Sequence, residues 1–134
     1  MITAFDADAL IYAAADDHPL GAKVRALFDA DGDAVGVGSV LLLPEILAKP
    51  MRAGADSPEV DRLLGFLARL DLAPLDQHTA ALAVSLTVKY GLKPIDSAHL
   101  ATAVAIRADR FVTNNRKDFP TNIREIQVVY PDQL

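Results

Sequence analysis

Four carboxylates in this chain stand in settings that ordinary solvated surface does not explain. Asp6 ends the short apolar run 2–5. Glu45 lies in SVLLLPEILAKP, the only acid between Gly36 and Gly54. Asp96 enters the small, apolar stretch KPIDSAHLATAVA, and Asp118 sits in FVTNNRKDF. An ionised carboxylate is seldom buried without a partner, because apolar neighbours do not replace its hydration. Four such groups gathered in one place would repel one another. A hard divalent cation removes that conflict. Mg²⁺ prefers oxygen ligands, keeps several waters and is commonly shared between carboxylates and a substrate phosphate. It can generate a hydroxide nucleophile and steady the leaving oxygen of a phosphodiester.

Each acid also has a local reading. Asp6 could cap the helix that follows, although Asp8 is better placed for that role. Glu45 could lie on a helix face that surfaces there. Asp96, near a helix N-terminus, complements the helix dipole. Asn115 and Asp118 have the spacing of a capping box, with Asp in place of the usual Glu or Gln. The two readings separate only if the fold brings the four segments together.

The elements that must position these residues alternate in type. Residues 2–5 read as a buried strand and 7–15 as a helix that stops near Asp16-Asp17-His18-Pro19. Residues 20–28 carry apolar side chains at helical spacing and are broken by Asp31-Gly32-Asp33. Residues 34–37 are a second strand candidate. Ser39 is placed to cap a helix running to about Leu47, before Pro50. Residues 57–70 fit an amphipathic helix with Ser57 as N-cap and Pro58 at its first position. A strand over 71–74, a helix over 79–90 closed by Gly91 and an alanine-rich helix over 94–108 follow. Strands over 110–113 and 126–130 end the chain. Short apolar strands alternating with helices predict a single α/β domain with a mostly parallel sheet covered on both faces. Sites in such folds form at the carboxyl ends of strands. Asp6 and Thr113-Asn114-Asn115 fall at two such ends.

Composition narrows the classes. Half the residues are apolar (51%), there is no cysteine, and the net charge is −5. A soluble, cytoplasmic protein is expected, without disulfides or thiolate metal sites. No apolar run is long enough to span a membrane, and no basic segment precedes the first apolar run as in a signal peptide. A broad basic surface for nucleic acid is not expected. The histidines form no HxH or HExxH pair, so a zinc hydrolase is disfavoured. His99 lies one helical turn from Asp96 and could contact it, although a histidine so placed is more often a helix-packing residue. His18 and His78 read as exposed.

The motifs FDADALIYA, SVLLLPEILAK, PIDSAHLATA and FVTNNRKDF, in this order from about residue 3 to 119, resemble the PIN domain family. More narrowly, they resemble the VapC-type toxins of bacterial toxin–antitoxin pairs. The resemblance implies a three-layer α/β/α sandwich with a central parallel sheet. It implies Mg²⁺- or Mn²⁺-dependent cleavage of RNA, a cognate antitoxin and a homodimer. Residue by residue, the family's acids match Asp6, Glu45, Asp96 and Asp118. Asn115 falls at a position that is acidic in some members, Asp8 where Asn is usual, Ser39 at a small hydroxyl position and Thr113 at the strand-end Thr. Ala7 and Leu42 replace hydroxyl residues common in the family. With Asn at 115, less negative charge is available for a second metal.

The resemblance implies that Asp6, Asp96 and Asp118 hold the cation and that Glu45 binds it or orients the attacking water. Asp8, Ser39, Thr113 and Asn115 would fix the carboxylates. Lys49, Arg52, Arg116 and Lys117, near the acidic motifs in sequence, are candidates to steer RNA toward an acidic site. Two other readings stay open. In a haloacid-dehalogenase-type phosphatase, Asp6 would be the nucleophile and Asp8 the general acid, with Val37-Gly38-Ser39 as a second motif. That reading lacks a later pair of acids for Mg²⁺, and a response-regulator receiver lacks its phospho-acceptor Asp. A PIN-like binding module with little activity would use amphipathic helices, such as those over 20–28 and 57–70, as a partner groove.

Overall fold

Alternating side chains along two short strands set the layers. The computed structural model describes residues 1–15, 17–29 and 34–134. In β1 (Thr3–Phe5), Phe5 points into one apolar cluster and Ala4 into another; in β4 (Arg110–Val112), Val112 and Phe111 divide the same way. The period of two along a strand makes this division automatic. Among the described residues, five strands form one parallel sheet in the order β3-β2-β1-β4-β5, with β2 at Gly36–Ser39, β3 at Leu70–Ala73 and β5 at Gln127–Val129.

Helices α1 (Ala7–Ala14), α2 (Pro19–Leu27), α3 (Leu42–Ala53) and α4 (Pro58–Ala68) contribute to the Phe5 cluster. There Phe28 bridges Phe5 and Phe66, with ring centroids 5.4 and 4.8 Å away. Helices α5 (Gln77–Tyr90) and α6 (Pro94–Ala105) cover the opposite face with Leu86, Leu100, Ala101 and Ala103. The result is the expected three-layer α/β/α sandwich.

Local signals place several helix ends as expected. Ser57 Oγ accepts the Val60 amide at 3.2 Å and Pro58 opens α4. Gly91 closes α5 at φ 68°, a left-handed conformation that favours glycine.

Other boundaries differ. The second strand lies at Gly36–Ser39 rather than 34–37. Glycine normally weakens a strand, but a Cβ at Gly36 would stand 2.4 Å from the Thr3 carbonyl oxygen. The glycine is the condition for β2 to lie against β1. Ser39 ends β2 and does not cap α3: its Oγ accepts the Leu41 amide at 3.1 Å, and the helix starts at Leu42. That helix also runs through Pro50 to Ala53, losing one amide donor where Pro50 sits. Helix α6 stops at Ala105, because Arg107 adopts φ 57° and turns the chain toward β4. The expected break at Asp31-Gly32-Asp33 and Asp16 of the first helix stop lie outside the described residues.

Candidate functional site

Parallel strands deliver their carboxyl ends to one edge, so β1 and β4 carry Asp6 and Thr113 side by side. Asp6 is the last residue before α1 and only 3% exposed. Its amide extends the ladder to the Val112 carbonyl at 2.9 Å. Thr113 Oγ1 donates to Asp6 Oδ2 at 2.8 Å. The same hydroxyl oxygen accepts the Asn115 amide at 3.1 Å.

Asp8 corrects the capping expectation. Its Oδ1 accepts the Asn114 amide at 3.1 Å and lies 3.4 Å from Thr113 Oγ1, so it ties α1 to the loop after β4. Burial, and then the neighbouring Asp8 charge, push the Asp6 carboxyl up to about 7, against the pull of His99 and the Thr113 hydroxyl. Burial also raises Asp8, which the Asn114 amide partly offsets.

The other three acids meet in one open cleft of about 660 Å³, lined by Pro44, Glu45, Lys93, Pro94, Ile95, Asp96 and Asp118. Glu45 projects from the first turn of α3 and Asp96 from the first turn of α6. Asp96 is raised by burial and by the charges of Asp118 and Glu45. Asp118 is lowered, first by Asn115, whose Nδ2 donates to Asp118 Oδ2 at 2.8 Å, and then by Lys93 and Lys117. Lys93 Nζ lies 3.5 Å from the same oxygen. Asn115 and Asp118 make only half of a capping box: Asn115 Oδ1 accepts the Asp118 amide at 3.4 Å, but the Asn115 backbone amide goes to Thr113, and no helix follows the turn.

Asp6 does not line this cleft. It is buried, and its charge acts on His99 together with those of Glu45 and Asp96. Among the described residues, no three acidic or imidazole groups stand in metal-ligating geometry. The donor set still fits a hard divalent cation. It is made of carboxylate oxygens on four separate segments, and burial first, then neighbouring carboxylates (Asp8 beside Asp6, Asp118 and Glu45 beside Asp96), push the pKa of two of them upward.

Two residues at the site have partners that their spacing in the sequence does not give. His99 Nε2 is hydrogen-bonded to Glu45 Oε2, so its partner is Glu45 on α3 rather than Asp96 on its own helix. Burial lowers its pKa, but the Glu45 bond and the Asp6, Glu45 and Asp96 charges outweigh that and the net shift is upward. Lys93 is the basic residue lining the cleft, and its place just before Pro94, at the mouth of the Asp96 helix, is the sequence signal for it.

The residues expected to steer RNA are scattered. Lys49 lines a neighbouring groove with Glu45, Ile11 and Leu63. Arg52 is exposed on the last turn of α3. Arg116 pairs with Asp132 at 2.5 Å and lies 4.1 Å from the centre of the Tyr130 ring. Lys117 is exposed beside Asp118.

An all-parallel sheet with acids from four segments near its carboxyl edge defines a class of α/β protein with an anionic site at that edge. The PIN domain family model matches residues 4–122, and the chain belongs to that family. Two solved structures are similar over essentially the whole chain. A toxin–antitoxin complex from Klebsiella pneumoniae superposes with a TM-score of 0.75 at 22% identity, covering 100% of both chains. VapBC2 from Rickettsia felis, bound to a DNA fragment from its promoter, superposes with a TM-score of 0.70 at 20% identity, covering 97% of this chain and 98% of that one. Both likenesses are of fold. No curated protein matches the chain by sequence. Among the described residues, no helix is long and apolar enough to cross a membrane.

Proposed function

We propose that the chain is a Mg²⁺- or Mn²⁺-dependent endoribonuclease, the toxin of a VapBC-type pair, acting in the cytoplasm. The observation that carries this reading is the meeting of Glu45, Asp96 and Asp118 in one cleft, with the charge of buried Asp6 acting on His99 together with those of Glu45 and Asp96. Membership of the PIN domain family and the toxin–antitoxin character of its fold neighbours support it. A cognate antitoxin and a homodimer belong to the same proposal.

Asp6, Glu45, Asp96 and Asp118 would hold the cation. When bound, it supplies a Lewis acid that makes water nucleophilic near neutral pH and stabilises a leaving oxygen. The remaining work falls to the chain. Thr113 fixes Asp6 Oδ2 through its hydroxyl. Asn115 and Lys93 hold Asp118 at the cleft wall. Glu45 orients the attacking water, and Lys93 draws a phosphate into a cleft whose other charged groups are acids.

The phosphatase reading is set aside. Asp8 is engaged with the Asn114 amide and the Thr113 hydroxyl, Asp6 is buried, and the chain is a PIN domain. The test is cleavage of a mixed RNA pool with Mn²⁺ by wild type, Asp6→Asn and Asp96→Asn. Wild-type cleavage that both variants lose is the expected result. Cleavage by either variant at the wild-type rate would exclude the assignment. Mn²⁺ binding without any cleavage would favour a binding module.

A further inference from the structure

His99 is the buried polar side chain at this site that the mechanism above leaves without a task. Its side chain has no exposed surface, whereas the Glu45 side chain it touches keeps 36% of its own. The ring's other nitrogen, Nδ1, is buried and has no hydrogen-bond partner. All of the imidazole's polar bonding is thus one bond, from α6 across to α3. Helix packing alone does not account for this. An apolar side chain of similar size would fill the space without leaving a nitrogen unsatisfied. The acids facing the ring come from three elements: Asp6 from the end of β1, Glu45 from α3 and Asp96 from α6.

We propose that His99 is a positioning residue whose Nε2 fixes the Glu45 carboxylate at the mouth of the cleft, holding Oε2 and presenting Oε1 to the reacting groups. The inference rests on the nuclease reading for its consequence and on the His99–Glu45 bond for its mechanism. A buried partner that orients a working carboxylate acts on the geometry of the site and not on substrate contact. His99 has no surface with which to touch RNA, so its loss acts on kcat and leaves KM for RNA nearly unchanged.

The test compares His99→Gln with His99→Met, side chains of similar length that differ in whether an amide donor reaches Glu45. The methionine variant is expected to lose about 10- to 100-fold in kcat and in Mn²⁺ affinity, and the glutamine variant to recover most of both. In a Glu45→Ala background, His99→Met adds no further loss. Equal behaviour of the two variants, or losses that multiply in the double variant, would overturn the proposal. A second measurement needs no change at 99 and covers a variant that fails to fold. The wild-type chain should show a downfield His99 ring N–H proton by NMR that disappears in Glu45→Ala; its absence from wild type would also overturn the proposal. If wild type binds Mn²⁺ but cleaves no RNA, the nuclease reading fails, and the affinities of the two His99 variants still decide the positioning role.

Discussion

The β1–β4 pair is tied at both ends by side chains, and the two ties differ in kind. At the amino end Asp109 Oδ2 accepts the Ile2 amide at 2.6 Å and Thr3 Oγ1 accepts Arg110 Nε at 2.9 Å. At the carboxyl end Thr113 Oγ1 donates to Asp6 at 2.8 Å. All three bonds join residues 107 apart in sequence, because one parallel register makes them all. Asp109 is exposed and serves a backbone donor in water. Asp6 is sealed beside a second acid and destabilises itself by being there. A carboxylate that only ties strands can remain solvated. One buried against its own charge is retained for something the fold alone does not need.

Asp6→Asn is expected to have the largest effect, a fall of at least about 100-fold in RNA cleavage, the scale of losing a transition-state electrostatic contact. Single-turnover kinetics with excess Mn²⁺ would measure it. Thr113→Val should come next. It keeps the shape but removes the donor to Asp6 and the acceptor of the Asn115 amide, so cleavage should fall about 10- to 100-fold and stability by about 1–3 kcal/mol, read by denaturant melts.

The metal-free protein offers a sharper comparison. Because the folded Asp6 pKa lies at about 7 against an ordinary 3.8, the folded state holds the extra proton between those values. The contribution of this group to stability is therefore full below about pH 4 and is lost as pH rises toward 7. In chelator at pH 8, Asp6→Asn should be more stable than wild type by roughly 1–3 kcal/mol, with the difference vanishing near pH 4. A variant that is less stable than wild type at both pH values would break the comparison. The smallest effect is expected at the other end. Asp109→Ala should leave cleavage unchanged and cost about 0.5–1 kcal/mol, the worth of one exposed hydrogen bond.

Legibility in the sequence followed the range of the interactions. Ser57 with Pro58 and the Gly91 stop were readable because caps act within a turn or two. Asp6, Glu45 and Asp96 are readable because each interrupts an apolar stretch, whereas Asp118 stands in the polar run after a strand end. The second strand lies two residues later than the expected 34–37, and Gly36, common to both ranges, is required by close packing against Thr3 and Phe5 rather than by any local signal. Asp8 reads as a cap of its own helix and His99 as a helix-packing residue within reach of Asp96, and their bonds instead cross to Asn114 and Glu45. Spacing rules describe neighbours along one element, while a parallel sheet supplies neighbours a hundred residues away.

The central claim is that these dispersed acids serve one cation. Anomalous diffraction from a crystal of the wild-type chain grown with Mn²⁺ tests it most directly. The account predicts a manganese peak at the cleft of Glu45, Asp96 and Asp118, on the side toward Asp6. Saturating Mn²⁺ with no peak there, or a peak bound only by other residues, would contradict it.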